Sequence, residues 1–298
     1  MYTAHFGLKE PPFGITPDTS FYFGCANYQE ALNTLVIAAR NGEGFIKITG
    51  EVGTGKTLLC RKFMATLDDS FVTAYIPNPS LEPRALTMAL ADELALKLDK
   101  DVDQHQLVKA INLRLLELAR DGKRVVLCLD EAQAMPIESL EALRLLTNLE
   151  TEKCKLLQIV MFGQPELDRK LQINAIRQLN QRITFHYKLG PLNRDDLAFY
   201  LSHRLNVAGF SGGRLFKADA VRALHAASGG FPRLINILAH KSLMLAYGEG
   251  TQQITTRHIR AAARDTGSTK QNIWRWFSAA TGLLFVAASC GAGWIFLR

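Results

Sequence analysis

Apolar residues along the first two thirds of the chain switch repeatedly between a helical period and short continuous runs. Tyr28, Ala31, Leu32, Leu35, Val36 and Ala39 fall on one helical stripe, with Asn41-Gly42 as its stop. Phe45–Ile48 follows as a short, β-branched apolar run, and Phe71–Ile76 is a second one, closed by Pro77-Asn78-Pro79. Arg124–Leu129 has the continuous apolar character of a strand buried on both faces of a parallel sheet. Two further strands are expected at 156–162 and 183–188. Helical patterns over about 83–98, 104–120 and 137–150, and a helical turn at 165–171, separate the runs. Strands alternating with helices predict an α/β three-layer sandwich around a parallel sheet. The first 26 residues, with Pro11-Pro12, Pro17 and the Phe21–Phe23 aromatics, read as loop.

Past Gly190-Pro191-Leu192 the pattern becomes helical throughout, over about 193–207, 217–227, 232–246 and 255–264. The expected organisation is therefore an α/β domain over 1–190, an all-α domain over 191–267 and a linker over 268–275. From Trp276 to Leu297 there are 22 residues without a charge, flanked by Arg275 and Arg298. At 1.5 Å per residue that is about 33 Å of helix, enough for a hydrocarbon core of about 30 Å. Residues 276–297 are expected to form a transmembrane helix, with Trp274, Trp276 and Trp294 at the interfaces.

The strand at Phe45–Ile48 runs into Gly50-Glu51-Val52-Gly53-Thr54-Gly55-Lys56-Thr57-Leu58, a G-x-x-x-x-G-K-T loop followed by a helix start. Strand, glycine-rich turn and helix are the context a phosphate-binding loop requires. Successive backbone N–H groups must turn inward around the anion, which needs unusual φ values and no Cβ in the way. Lys56 is expected on the β- and γ-phosphates, Thr57 on Mg²⁺, and the helix N-terminus under the anion. The motif predicts a nucleoside triphosphate site.

Asp130 and Glu131 follow the third strand in Leu127-Cys-Leu-Asp-Glu-Ala-Gln133. A carboxylate there lies near the P-loop, so Asp130 is assigned to the metal and Glu131 to polarising the attacking water. Alone, such an acid pair reads as a helix cap. Arg177-Gln-Leu-Asn-Gln-Arg182 sits between the fourth and fifth strands, where arginines can reach across a subunit boundary to transition-state charge. Gly229-Gly230-Phe231-Pro232-Arg233 opens a helix, which places Arg233 near the helix start, free to lean over a phosphate.

Charge is unevenly placed. Residues 1–190 hold 22 Lys/Arg against 23 Asp/Glu, whereas 191–267 hold 10 against 5. A basic C-terminal third suits anionic lipid or nucleic acid. The five cysteines, Cys25, Cys60, Cys128, Cys154 and Cys290, show no C-x-x-C spacing and read as reduced core residues of a cytosolic compartment.

In this order the motifs G-E-V-G-T-G-K-T, L-D-E-A-Q, F-G-Q-P-E-L, R-Q-L-N-Q-R-I and G-G-F-P-R resemble AAA+ ATPases of the general secretion pathway protein A type. They are most similar to the short members associated with MSHA-type pilus biogenesis. Phe6–Phe13 and Ile15–Asp18 are similar to that family's opening, and the resemblance covers roughly residues 4–265. It implies a P-loop AAA+ sandwich with a helical lid, ATP hydrolysis with Mg²⁺, and a homo-oligomeric ring or partial ring. It further implies sensor 1 at Gln164, an arginine finger at Arg182 with Arg177 as second candidate, and sensor 2 at Arg233. Gln164 departs from the Asn or Thr commonest in AAA+ sensors.

The longer secretion members carry a peptidoglycan-binding domain after the membrane helix. This chain ends at Arg298, so cell-wall binding is not expected of it. The whole reading is an inner-membrane ATPase, anchored at its C-terminus with the ATPase domain in the cytoplasm. It would work with membrane components of a pilus or type II secretion assembly. The alternative is a DNA-associated ATPase of the transposition-helper or origin-binding kind; the membrane segment argues against nucleic acid as the partner. A third class, a nucleotide-gated scaffold that hydrolyses little, would not need Lys56, Asp130, Glu131 and Arg182 together.

Overall fold

A computed structural model describes residues 2–99, 101–147 and 155–267. The linker 268–275 and the apolar segment 276–297 lie outside the described residues. Among the described residues no helix is long and apolar enough to cross a membrane. The chain divides into two compact units, one over Thr16–Pro191 and one joining the first fifteen residues to the chain from Leu192 onward.

The first unit is an α/β sandwich. Its elements are α1 (Ala26–Arg40), β1 (Phe45–Thr49), α2 (Lys56–Thr66), β2 (Phe71–Ile76), α3 (Pro83–Glu93) and α4 (Gln104–Arg120). They continue with β3 (Arg124–Leu129), α5 (Ile137–Leu146), β4 (Leu157–Gly163), α6 (Pro165–Leu171), α7 (Arg177–Gln181) and β5 (Ile183–Lys188). The five strands are ordered β2-β3-β4-β1-β5, with every pairing parallel. Burial follows position in the sheet. β1 and β4 are buried at every residue and β3 at all but Arg124, whereas the edge strand β5 alternates between half-buried and exposed. The continuous apolar runs thus became central strands, and the mixed Ile-Thr-Phe-His-Tyr-Lys run became an edge.

Helix α3 stops about five residues before the sequence pattern suggested. Ala95 takes a left-handed φ of 57°, Leu96 N–H donates to Ala91 O at 3.0 Å and Ala95 N–H to Asp92 O at 2.9 Å. This is the 6→1 and 5→2 closure that normally uses glycine. The turn lets Leu94 enter the core beside Leu86 and Leu90. Cys25, Cys60 and Cys128 are buried and in no disulfide, as expected of core cysteines; Cys154 and Cys290 lie outside the described residues.

The second unit packs α8 (Arg194–Val207), α9 (Ala218–Ser228), α10 (Pro232–Gly248) and α11 (Thr256–Thr266), with a lone parallel bridge between Phe216 and Ile254. The sequence placed residues 1–15 with the α/β domain, and the fold corrects this. Phe6, Leu8 and Phe13 are buried, the Phe13 ring meets Phe216 edge-on at 5.9 Å, and Lys9 N–H donates to Ala208 O at 2.8 Å. Arg204, itself buried, donates to Pro12 O at 2.5 Å and Gly14 O at 3.4 Å, and Asn236 donates to Gly14 O at 3.1 Å. Where the sequence predicted loop the opening forms one short helix, Tyr2–His5, and stays irregular from Phe6 to Ile15; its aromatics needed a core, and the helical unit supplies one.

Candidate functional site

The sheet brings three strand ends together. β1 pairs with β4 through Thr49↔Gly163, and β4 pairs with β3 through Met161↔Leu129. The P-loop, Gln164 and Asp130-Glu131 therefore emerge side by side at the carboxyl edge, where open α/β sheets place their ligand crevice.

Gly50 opens the loop, and its N–H donates to Gly163 O at 3.1 Å. A Cβ at Gly50 would fall 2.6 Å from Leu189 O and 2.9 Å from Thr54 Oγ1, so only glycine lets the loop leave the strand here. Gly55 caps α2 with φ 88° in the left-handed region, and Gly53 has φ 81°. Thr54 is buried, and its hydroxyl donates to Glu51 O at 2.8 Å, closing the loop on itself. Glu51 and Val52 are exposed at the tip, while Leu58 is half-buried on the first turn of α2. Beneath the loop the buried Tyr28 hydroxyl donates to Thr54 O, and its ring lies 3.3 Å from the place a Gly55 Cβ would occupy. Tyr28 had been read only as a member of the α1 apolar stripe. Its position under the loop depends on how α1 packs against α2, which no local spacing encodes.

Lys56 is buried and its Nζ donates to Gly50 O at 2.8 Å and Glu51 O at 3.1 Å. Burial pushes the ammonium below the usual lysine range, against the opposing pull of Glu131, Asp130 and Glu51. The Thr57 hydroxyl donates to Asp130 Oδ2 at 2.6 Å. Burial pushes the Asp130 carboxyl up, partly offset by the Thr57 bond and by the Glu131 N–H on Oδ1 at 3.0 Å. A hydroxyl and a carboxylate held this close are hard oxygen donors of the kind that suits Mg²⁺.

Glu131 stands in the left-handed region at φ 53° and ψ 37°, a conformation costing a non-glycine residue roughly 1–2 kcal/mol. The backbone kink turns its carboxylate toward two amides. Gln133 Nε2 donates to Glu131 Oε2 at 2.5 Å, and Gln164 Nε2 donates to the same oxygen at 3.0 Å. Gln133 Oε1 in turn accepts from Gln164 N–H at 3.0 Å, so Gln133 bridges the end of β4 to the carboxylate. Burial acts to raise the Glu131 pKa, but these two bonds and the Lys56 charge outweigh it and hold the carboxyl below its usual value. The Gln133 loop is itself held by Lys170, whose Nζ donates to Gln133 O and Met135 O, both at 2.6 Å. Sequence reasoning quoted Gln133 within its motif but gave it no role, and it missed Lys170. A glutamine two residues after the acid pair was the available signal for the first; nothing local signalled the second.

The remaining predicted residues are three arginines. Arg182, partly buried, follows α7 and its guanidinium donates to Arg144 O at 3.2 Å and Thr147 Oγ1 at 3.3 Å, both at the end of α5 in its own chain. Arg177 begins α7 and is exposed. Arg233 is exposed in the first turn of α10, in the helical unit. Neither finger candidate hydrogen-bonds the Asp130-Glu131 pair.

A family model described as "AAA domain" matches residues 39–171. General secretion pathway protein A of Aeromonas hydrophila is 42% identical over 299 residues, covering 99% of this chain and 54% of its own length. The chain thus spans about half the length of that curated relative. Among solved structures, Cdc6p of Pyrobaculum aerophilum is similar with a TM-score of 0.65 at 19% identity, covering 83% of this chain and 70% of that one. The RuvB Holliday junction branch migration motor of Thermotoga maritima is similar at 0.57 and 16%, covering 84% and 73%. These two share the fold. The complete P-loop, the strand-end carboxylate pair and the glutamines that hold Glu131 all lie within the segment 39–171 that matches the AAA domain model, and the chain is similar over nearly its whole length to general secretion pathway protein A.

Proposed function

We propose that this chain is an inner-membrane AAA+ ATPase that couples ATP hydrolysis to assembly of an envelope machine, of the MSHA-type pilus or type II secretion kind. The observation that carries the hydrolytic part is the Glu131 carboxylate, kept ionised by Gln133 and Gln164 within electrostatic reach of Lys56. Lys56 would exchange the Gly50 and Glu51 carbonyls for the β- and γ-phosphate oxygens, while the N–H groups of Gly53, Gly55 and their neighbours line the phosphates. Thr57 and Asp130 would hold Mg²⁺, which would supply positive charge to neutralise charge developing on the phosphates. Glu131 accepts hydrogen bonds from two amides on one oxygen, Oε2, leaving Oε1 for the attacking water. Gln164 would act as sensor 1 by linking the end of β4 to that carboxylate.

Arg182, with Arg177 as the second candidate, would serve a neighbouring subunit of a ring, and Arg233 would meet the phosphates from the lid. The secretion assignment rests on the 42% identity to a secretion-pathway protein, and the anchor on the uncharged run 276–297. Lys270 and Arg275 before that run and only Arg298 after it favour a cytoplasmic ATPase domain.

The rival reading, a DNA-associated ATPase, rests on the basic charge of residues 191–267. Full-length protein is expected to resist carbonate extraction from membranes and to bind duplex DNA only weakly. Release by carbonate, together with DNA affinity that falls steeply with salt, would favour the rival.

A further inference from the structure

The helical unit contains a cavity of about 920 Å³ between α8, α9 and the loop that joins them. Its lining shares no residue with the nucleotide site. Helix α8 presents two successive rows to it, Arg194-Ala198-Leu201-Leu205 and Asp195-Phe199-Ser202-Asn206, which is one open face of the helix. Buried Leu205 and Phe216 and half-buried Phe210 and Val221 give it an apolar lining. Phe199 is the most exposed large hydrophobic residue of the described chain, at 68%. Gly212 lets the loop fold back over the Phe210 ring, since a Cβ there would fall 2.7 Å from it.

Arg194, Arg214 and Arg222 also line the cavity, all three exposed, against Asp195 as the single acidic lining residue. Arg194 has Asp195 at 4.0 Å, an exposed contact worth little. A concave apolar groove between two helices, with a surplus of arginine at its edge, is complementary to one kind of occupant. A helix with an apolar stripe would seat that stripe on Phe199, Phe210 and Val221 and set carboxylates against the arginines. Nucleic acid bases would leave the buried aliphatic lining without a match, and a bilayer presents a flat surface that does not enter a groove. We propose that this groove is a docking site for an acidic amphipathic helix of a partner protein.

The test is selection of a random 16-residue phage-displayed peptide library on full-length protein, followed by titration of the enriched peptides as synthetic, fluorescently labelled chains. Enriched sequences are expected to carry apolar residues at i, i+3 or i+4 and i+7, with Asp or Glu between them. Phe199→Asp is expected to weaken their binding about tenfold or more, as loss of an aromatic anchor does. The double variant Arg214→Glu/Arg222→Glu should shift preference from acidic to lysine-substituted versions of the same peptides. Both variants alter exposed residues and should keep wild-type ATP turnover, which controls for folding. Recovery of no peptide, of neutral or basic peptides, or of peptides indifferent to both variants would overturn the proposal. So would poly-dT or phosphatidylglycerol vesicles binding in a Phe199-dependent way while acidic peptides do not.

Discussion

Both units bury polar side chains, but they do so for opposite ends. At the P-loop of the α/β unit Lys56 and Asp130 are buried, and burial works against their charged forms. Burial lowers the Lys56 pKa and raises that of Asp130. In the helical unit the buried Arg204 donates to Pro12 O, Gly14 O and the Tyr200 hydroxyl, which itself donates to Asn236 Oδ1 at 2.8 Å. That network is satisfied by carbonyls and hydroxyls, and it holds the chain's opening segment in place. A buried polar group in tension with its surroundings is poised to exchange partners for a ligand; a fully satisfied one fixes structure. Burial alone does not separate the two roles, whereas the identity of the partners does.

The contrast is broken most severely at Lys56 and Glu131. Lys56→Ala should abolish ATP binding, measured with a fluorescent nucleotide, because the phosphate charge loses its counter-ion. Glu131→Gln should bind ATP normally and hydrolyse it about 10²–10⁴-fold more slowly in a steady-state assay, as expected for loss of a water-polarising base. Wild-type turnover by Glu131→Gln would remove the glutamate from the chemistry.

Next in size are the two amides. Gln133→Leu or Gln164→Leu should slow turnover about tenfold or more, and should move the acidic limb of the pH–rate profile to higher pH. The sign follows from a carboxyl held below its usual value. The ionised form is favoured by those bonds above the ordinary glutamate pKa, and that advantage is lost as pH falls through the lowered value. Removing a donor brings the folded value back up, so protonation, and with it the loss of rate, begins at higher pH.

The helical unit should respond in stability rather than in chemistry. Arg204→Ala is expected to cost about 2–4 kcal/mol in urea unfolding, because it leaves buried carbonyls unmatched. Arg204→Lys should rescue little, since a single ammonium cannot reproduce the guanidinium fork. Turnover per folded molecule should stay at the wild-type level in both. The smallest expected effect is Ala95→Gly, a gain of about 0.5–1 kcal/mol from relieving the left-handed φ of 57° at the end of α3, read as a higher urea midpoint.

Much of this molecule was legible locally because its constraints are local. The G-x-x-x-x-G-K-T run declared its loop because an inward-turned backbone requires glycine at particular positions, and Gly50 and Gly55 meet that requirement by close approach and by φ. The central strands declared themselves because burial on both faces leaves no room for polar alternation, and helices α4 and α6 fell at the residues their periodicity marked. Placing Asp130 and Glu131 at a strand's end followed from the same reasoning.

Tertiary structure alone decided what depended on distant segments meeting. Tyr28 reaches Thr54 O only once α1 lies against α2, and Gln133 meets Gln164 only because β3 and β4 are sheet neighbours. Residues 1–15 join the helical unit because Phe13 and the Pro12 and Gly14 carbonyls find Phe216, Arg204 and Asn236 nearly two hundred or more residues away. A side chain's period marks the face it occupies, and only packing selects which distant face it meets.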